Sequence, residues 1–242
     1  MRRIAVVALW VAGGMAGCAS AAPELRSADD VGAQDVAPES SPRRGPAAPS
    51  VESEVGALDR DAVEAAFAEA RGAVQACITE ANQGLAFEVV GGDIEVEVRI
   101  KSDGSVRHVY PKSSTIGHAG AEKCILDAVA AQSWPKPEGG DEGIARTKYG
   151  LDPPAARPPT NGADLGTAGA TLGSKLRGCR SKSGTSSLAV TLYIDADGEV
   201  MAAGASVGDE AGLSAIDCAV KAAEGLSFPS PGSYPAKVIV EG

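Results

Sequence analysis

The groups in this 242-residue chain that could do chemistry are five cysteines (Cys18, Cys77, Cys124, Cys179 and Cys218) and two histidines (His108 and His118). A hydrolase would need a histidine oriented against a nucleophile and a carboxylate. No spacing in the sequence supplies that set, and both histidines are read as surface residues. Cys77 and Cys124 with the histidines match no zinc-ligand spacing. Asp195-Ala196-Asp197-Gly198 has the look of a calcium-loop fragment, but the full loop would place its first acid at Tyr193 and its closing Glu at Gly204. The glycines from Gly166 to Gly173 lack the Gly-Lys-Ser/Thr ending of a phosphate loop. No catalytic residue, metal or cofactor is therefore expected. With 22 Lys+Arg against 32 Asp+Glu, the chain carries no excess of cations to displace counterions from nucleic acid, and its 4% aromatics leave little for base stacking. Nucleic acid is excluded as a partner.

The cysteines are then structural or covalently modified, and their surroundings separate the two roles. Met1-Arg2-Arg3 precedes an apolar run from Ile4 to Ala12, a charged start and a short hydrophobic stretch that fit a secretory signal over residues 1–17. The run is too short to span a bilayer, which takes about 20 apolar residues. Met15-Ala16-Gly17-Cys18 resembles the bacterial lipobox, with Met15 in place of the usual Leu. The resemblance implies cleavage before Cys18, acylation of that cysteine and membrane anchoring by two or three chains. Ala19-Ser20 provides no Asp of the kind that retains many such proteins at the inner membrane, which points to the outer membrane, facing the periplasm or the surface. Ala19-Ser20-Ala21 is also an A-x-A site, so ordinary cleavage to a soluble secreted or periplasmic chain is the alternative. Export to an oxidising compartment turns the other four cysteines into disulfide candidates.

Two Pro-rich stretches mark the boundaries. Residues 18–58 hold Pro23, Pro38, Pro42, Pro46 and Pro49 among small and acidic residues and read as a flexible tether. Residues 151–163, with Pro153-Pro154 and Pro158-Pro159, read as a linker between folded domains at 59–150 and 164–242.

Those domains match each other at an offset of 94 residues. Ile94, Val96, Val98 and Ile100 fall on Leu188, Val190, Leu192 and Ile194; Asp103-Gly104 on Asp197-Gly198; Cys124 on Cys218; Trp134-Pro135 on Phe228-Pro229; and, without a gap, Ile144 on Val238. In the first copy Val63, Ala66, Phe67, Ala70, Val74, Cys77 and Ile78 recur at three and four, as a helix face does. Asp93–Lys101 alternates as a strand with one wet face, Asp103-Gly104 turns a hairpin, Ala119–Gln132 is a second helix and Gly143–Tyr149 a last strand. The predicted order is α-β-β-α-β, an α+β plan of two helices on a three-stranded antiparallel sheet, in two tandem copies. In the second copy Gly166, Gly169, Gly173 and Gly178 predict a short or frayed first helix. If both helices of a copy cover one sheet face, Cys77 pairs with Cys124 and Cys179 with Cys218.

The element order, the Ile-x-x-Asp-Gly-x-Val strand end and the aromatic-Pro-x-Pro after the second helix resemble the TonB C-terminal domain superfamily. The added cysteines are similar to those of its relatives at the C-termini of gliding-motility (AgmX/PglI-type) proteins. The resemblance implies a protein-binding or scaffolding part of an envelope or motility assembly, engaging envelope proteins by adding an extended strand to an open sheet edge. TonB's inner-membrane helix and long Pro-rich arm have no counterpart here, so its energy-coupling role is not carried over. An envelope hydrolase using His108 or His118, and a purely structural surface lipoprotein, are the alternatives.

Overall fold

A computed structural model describes residues 55–155 and 157–242. The expected signal, Cys18 and all but the last residues of the tether lie outside the described residues.

The fold is α+β, with four α-helices on two sheets and two disulfides. Helix α1 (Arg60–Asn82) starts where the Asp59 carboxylate accepts the Ala62 N–H at 2.7 Å, a side-chain cap that satisfies one of the free first-turn donors. Its apolar face buries Ala66, Phe67, Ala70, Val74, Cys77 and Ile78. At its end the Asn82 amide donates to Ile78 O and Val90 O and accepts from Val90 N–H, which ties the following loop to the helix. Strands β1 (Gly92–Lys101) and β2 (Val106–Ser114) form a hairpin through Gly104, whose φ of 87° suits glycine. Helix α2 (Ala119–Ala130) and strand β3 (Glu142–Leu151) complete an antiparallel sheet of order β2-β1-β3. Val55 and Ala57 bridge to Glu142 and Glu138, so ordered structure begins before the expected boundary at residue 59.

The next elements are strand β4 (Thr160–Asn161), helix α3 (Gly166–Ser183), strands β5 (Leu188–Ile194) and β6 (Val200–Val207), helix α4 (Leu213–Glu224) and strand β7 (Ala236–Glu241). Their sheet has the order β4-β7-β5-β6. It therefore has four strands rather than the expected three, because part of the Pro-rich linker pairs in parallel with β7. Helix α3 also corrects its expectation: it runs 18 residues straight through its glycines. Leu172, Leu176 and Cys179 are buried along one side, and this packing outweighs the helix propensity lost at glycine.

The last strand departs from the ungapped alignment. Val98 pairs with Ala145, whereas Leu192 pairs with Val238, so the offset there is 93. Ala145, not Ile144, occupies the buried position that Val238 fills in β7.

The disulfides are Cys77–Cys124, joining α1 to α2, and Cys179–Cys218, joining α3 to α4. Their Cα atoms stand 5.8 and 5.9 Å apart, within the normal reach of a bridge.

The outer face of the first sheet is not simply wet. Glu97 is 0% exposed and accepts hydrogen bonds from Tyr110 Oη, from Arg99 Nε at 2.9 Å and from Arg146 Nε at 2.6 Å. Burial alone would raise its pKa, but these donors and the charges of Arg146 and Arg99 outweigh burial and hold it below the usual value. Tyr110 itself packs among the apolar residues of the second half. In return Tyr193 enters the first core and donates to Gly91 O at 2.9 Å. Around this crossing β2 and β6, the edge strands of the two sheets, pack against each other. Thr191 Oγ1 donates to Ser114 O, Lys112 Nζ to Gly208 O and Lys237 Nζ to Gly91 O, and Glu122 accepts from Ala205 N–H.

The disulfides close chain separations of 47 and 39 residues. Replacing both cysteines of one pair with Ala is expected to lower the unfolding free energy by at most about 4 kcal/mol, read as a shift of the urea midpoint. An unchanged midpoint for either pair would contradict this.

Candidate functional site

Edge strands are where a sheet can accept another chain, because one row of their N–H and C=O groups has no partner. Of the four outer strands, β2 and β6 face each other and β4 is only two residues long, leaving β3 and the part of β7 beyond β4 to compare.

Strand β3 is guarded. Its start is bridged by Val55, with Gly56 N–H donating to Glu142 O at 2.7 Å. Farther along it exposes Arg146 and Lys148, and charges on an edge oppose pairing. Strand β7 is different. Ile239 stands across from Thr191 as Arg146 stands across from Glu97, so an apolar side chain takes the place of a guarding charge. Ile239 is 51% exposed.

The hydrogen-bond phase shows which backbone groups point outward. Gly242 N–H donates to Leu188 O, so the even residues of β7 face β5. On the other side Thr160 N–H donates to Pro235 O and Gly162 N–H to Lys237 O, both at 2.9 Å. The odd residues therefore face outward, and β4 uses this row up to Lys237. Ile239 and Glu241 continue it past the end of β4. Alongside lies a groove of about 520 Å³ lined by Thr115, Gly162, Ala163, Leu165, Lys237 and Ile239, among others. The arrangement can accept an extended segment and bury an apolar side chain on Ile239.

The two histidines are not brought together. His108 stands opposite Arg99 on β2. His118 is half-buried and starts α2, its Nδ1 accepting the Ala121 N–H at 3.0 Å. This capping role was missed in the sequence, since His is not among the preferred caps. Asp195 Oδ1 accepts from the Asp197 and Glu199 N–H groups at 2.9 Å, and Gly198 has a φ of 86°, so the acidic fragment forms the β5–β6 turn. Trp134 is buried, its ring 4.9 Å from Phe67 in an edge-on arrangement, and Phe228 lies in the second core. Both aromatics cover the core at the end of a helix. No helix among the described residues is long and apolar enough to cross a membrane.

No family model, curated protein or solved structure matches this chain.

Burial holds the His118 imidazole below its ordinary pKa, favouring the neutral ring that can accept a hydrogen bond. Its contribution is present above about pH 6.5 and is lost as pH falls through the lowered folded value. His118→Ala is expected to cost about 1 kcal/mol at pH 8 and less at pH 5, while His118→Asn restores the cap at both. Equal losses for His118→Ala at the two pH values, in urea melts, would contradict the capping role.

Proposed function

We propose that this chain is a cell-envelope protein, lipid-anchored through Cys18, whose two tandem TonB-C-like modules bind or scaffold partner proteins. The observation that carries the binding role is the β7 edge: an exposed Ile239 on an outward backbone row that the chain's own β4 already extends by parallel pairing. A partner would supply an extended segment with an apolar residue facing Ile239, continuing the row past β4. The tandem reading is supported by the common order of sheet and helices in the two halves and by a helix-to-helix disulfide in each. Two disulfides fit an oxidising compartment, in keeping with the lipobox-like Met15-Ala16-Gly17-Cys18. The hydrolase reading is weakened by His118, whose Nδ1 is spent on a helix cap.

A photo-crosslinking residue at position 239, introduced into the full chain in its native envelope, is expected to capture a protein partner. The same residue at position 146 is expected to capture none, and Ile239→Lys to abolish binding without loss of folding. Equal capture at 239 and 146, or none at either, would overturn the β7 reading. Radiolabelled palmitate is expected to enter the wild-type chain and not Cys18→Ser. Secretion of an unlabelled wild-type chain would instead favour cleavage at Ala19-Ser20-Ala21.

A further inference from the structure

Helix α3 carries Lys175, Arg177, Arg180 and Lys182 and no acid. The whole chain has 22 Lys+Arg against 32 Asp+Glu, and outside α3 the second half holds only Lys221 and Lys237 as cations. The positive charge of this half is therefore gathered on one helix. All four α3 cations are exposed. The elements packed against α3 carry Glu210, Asp217, Glu224 and Glu241. No salt bridge joins these acids, or any other among the described residues, to the helix.

Helix-end chemistry accounts for only part of the set. Cations in a last turn complement the negative end of the helix dipole. Arg180 and Lys182 stand there, and Arg180 also donates to Gly242 O at 2.7 Å. Lys175 and Arg177 stand before the last turn.

The buried side of α3 is Leu172, Gly173, Leu176 and Cys179. At about 3.6 residues per turn the opposite side is Thr171, Ser174, Gly178 and Ser181, all exposed. Lys175 and Lys182 flank this crest on one side, Arg177 and Arg180 on the other. The crest offers small and hydroxyl side chains and no large apolar or aromatic one. Protein interfaces are anchored at their centre by such large residues, so a face without them matches a partner read by charge. Beside the crest Arg177, Arg180 and Ser181 border an open cleft of about 330 Å³. It has room for a phosphate group, which guanidinium groups bind through paired N–H donors.

We propose that α3 is a membrane-docking face, whose cations bind the anionic phospholipid headgroups of the membrane at which Cys18 anchors the chain. The proposal rests on the envelope reading for the nearness of a membrane and on α3 alone for the binding. Each cation brought to an anionic lipid surface strengthens binding about fivefold, within a screening length of about 8 Å at physiological salt. The acidic remainder of the chain is repelled by the same surface, so the α3 side is the one that lies on it. Docking thus sets an orientation, which a single lipidated residue does not.

The test uses the full chain carrying Cys18→Ser, so that no acyl chain contributes. Co-sedimentation with vesicles of phosphatidylglycerol and phosphatidylcholine is expected to exceed that with phosphatidylcholine alone. The excess is expected to vanish at about 1 M salt, where the screening length falls to about 3 Å. Adding Lys175→Gln, Arg177→Gln, Arg180→Gln and Lys182→Gln together is expected to weaken binding to the anionic vesicles at least about tenfold. Arg60→Gln, Lys101→Gln, Lys123→Gln and Lys136→Gln together remove the same charge elsewhere and are expected to cost much less. No preference for anionic vesicles, or an equal loss in this control, would overturn the docking. If the α3 variant does not fold, Lys175→Gln with Arg177→Gln decides, with a loss of at least about fivefold expected and no loss overturning it. A photo-crosslinking residue at position 178, where a Cβ meets no atom within 4 Å, separates lipid from an acidic protein partner. Lipid adducts in the native envelope would support the proposal, and protein adducts in their place would overturn it. Palmitate labelling of Cys18 without a vesicle preference would defeat the docking alone, and a vesicle preference without labelling would defeat the anchor alone.

Discussion

Tyr193 leaves the open face of the second sheet, crosses into the first core and donates its hydroxyl to Gly91 O, while Tyr110 crosses the other way into the second core and donates to Glu97. The rest of the structure depends on this exchange. The second core includes the buried alanines Ala203, Ala205, Ala215, Ala219 and Ala223, whose side chains fill little volume. A buried tyrosine contributes roughly 2–3 kcal/mol from its apolar ring, a large fraction of the margin of a domain this small. Each core therefore includes a tyrosine from the other half. The contact between them is part of the fold and not an accessory to it.

The exchange also explains the polar groups at the contact. A tyrosine driven into another core must find an acceptor, and Gly91 O and Glu97 provide one each. Glycine at 117 and 204 lets the two backbones approach closely enough for Thr191, Glu122 and Ala205 to bond across the contact. The disulfides act elsewhere. Each pins the two helices of one half together.

Much of this was legible in the sequence, and the reason is locality. Helix and strand periodicities belong to single segments, so the alternating apolar residues of β5 and the buried face of α1 were legible in their own letters. The cysteine pairing followed from two helices sharing a face. The rest needed distant partners. The last strand was misplaced by one residue because Ile144 and Val238 match as letters, while the backbone sets Ala145 opposite Val98. Helix α3 was expected to fray because glycine propensity is local and the burial of Leu172 and Leu176 is not. Glu97 fell within a strand read as having one wet face, and Glu122 was not singled out. Their surroundings come from other elements, Tyr110 and Arg146 for Glu97 and β6 for Glu122, and no spacing within one segment announces them.

The two sheets end in different edges for a reason that the same contact supplies. In the first sheet Arg146 is held by Glu97, and Glu97 is buried because Tyr110 covers it. A charge can therefore stand on β3 as a fixed guard. In the second sheet the position opposite is Thr191, which spends its hydroxyl on Ser114 O across the contact and offers no anion to hold a cation in place. The corresponding residue of β7, Ile239, is uncharged and exposed, and the nearest chain to cover it is the short β4. Guarding one edge and opening the other thus follow from which tyrosine crosses where, so a change at the contact would be felt at the edge that a partner strand would use.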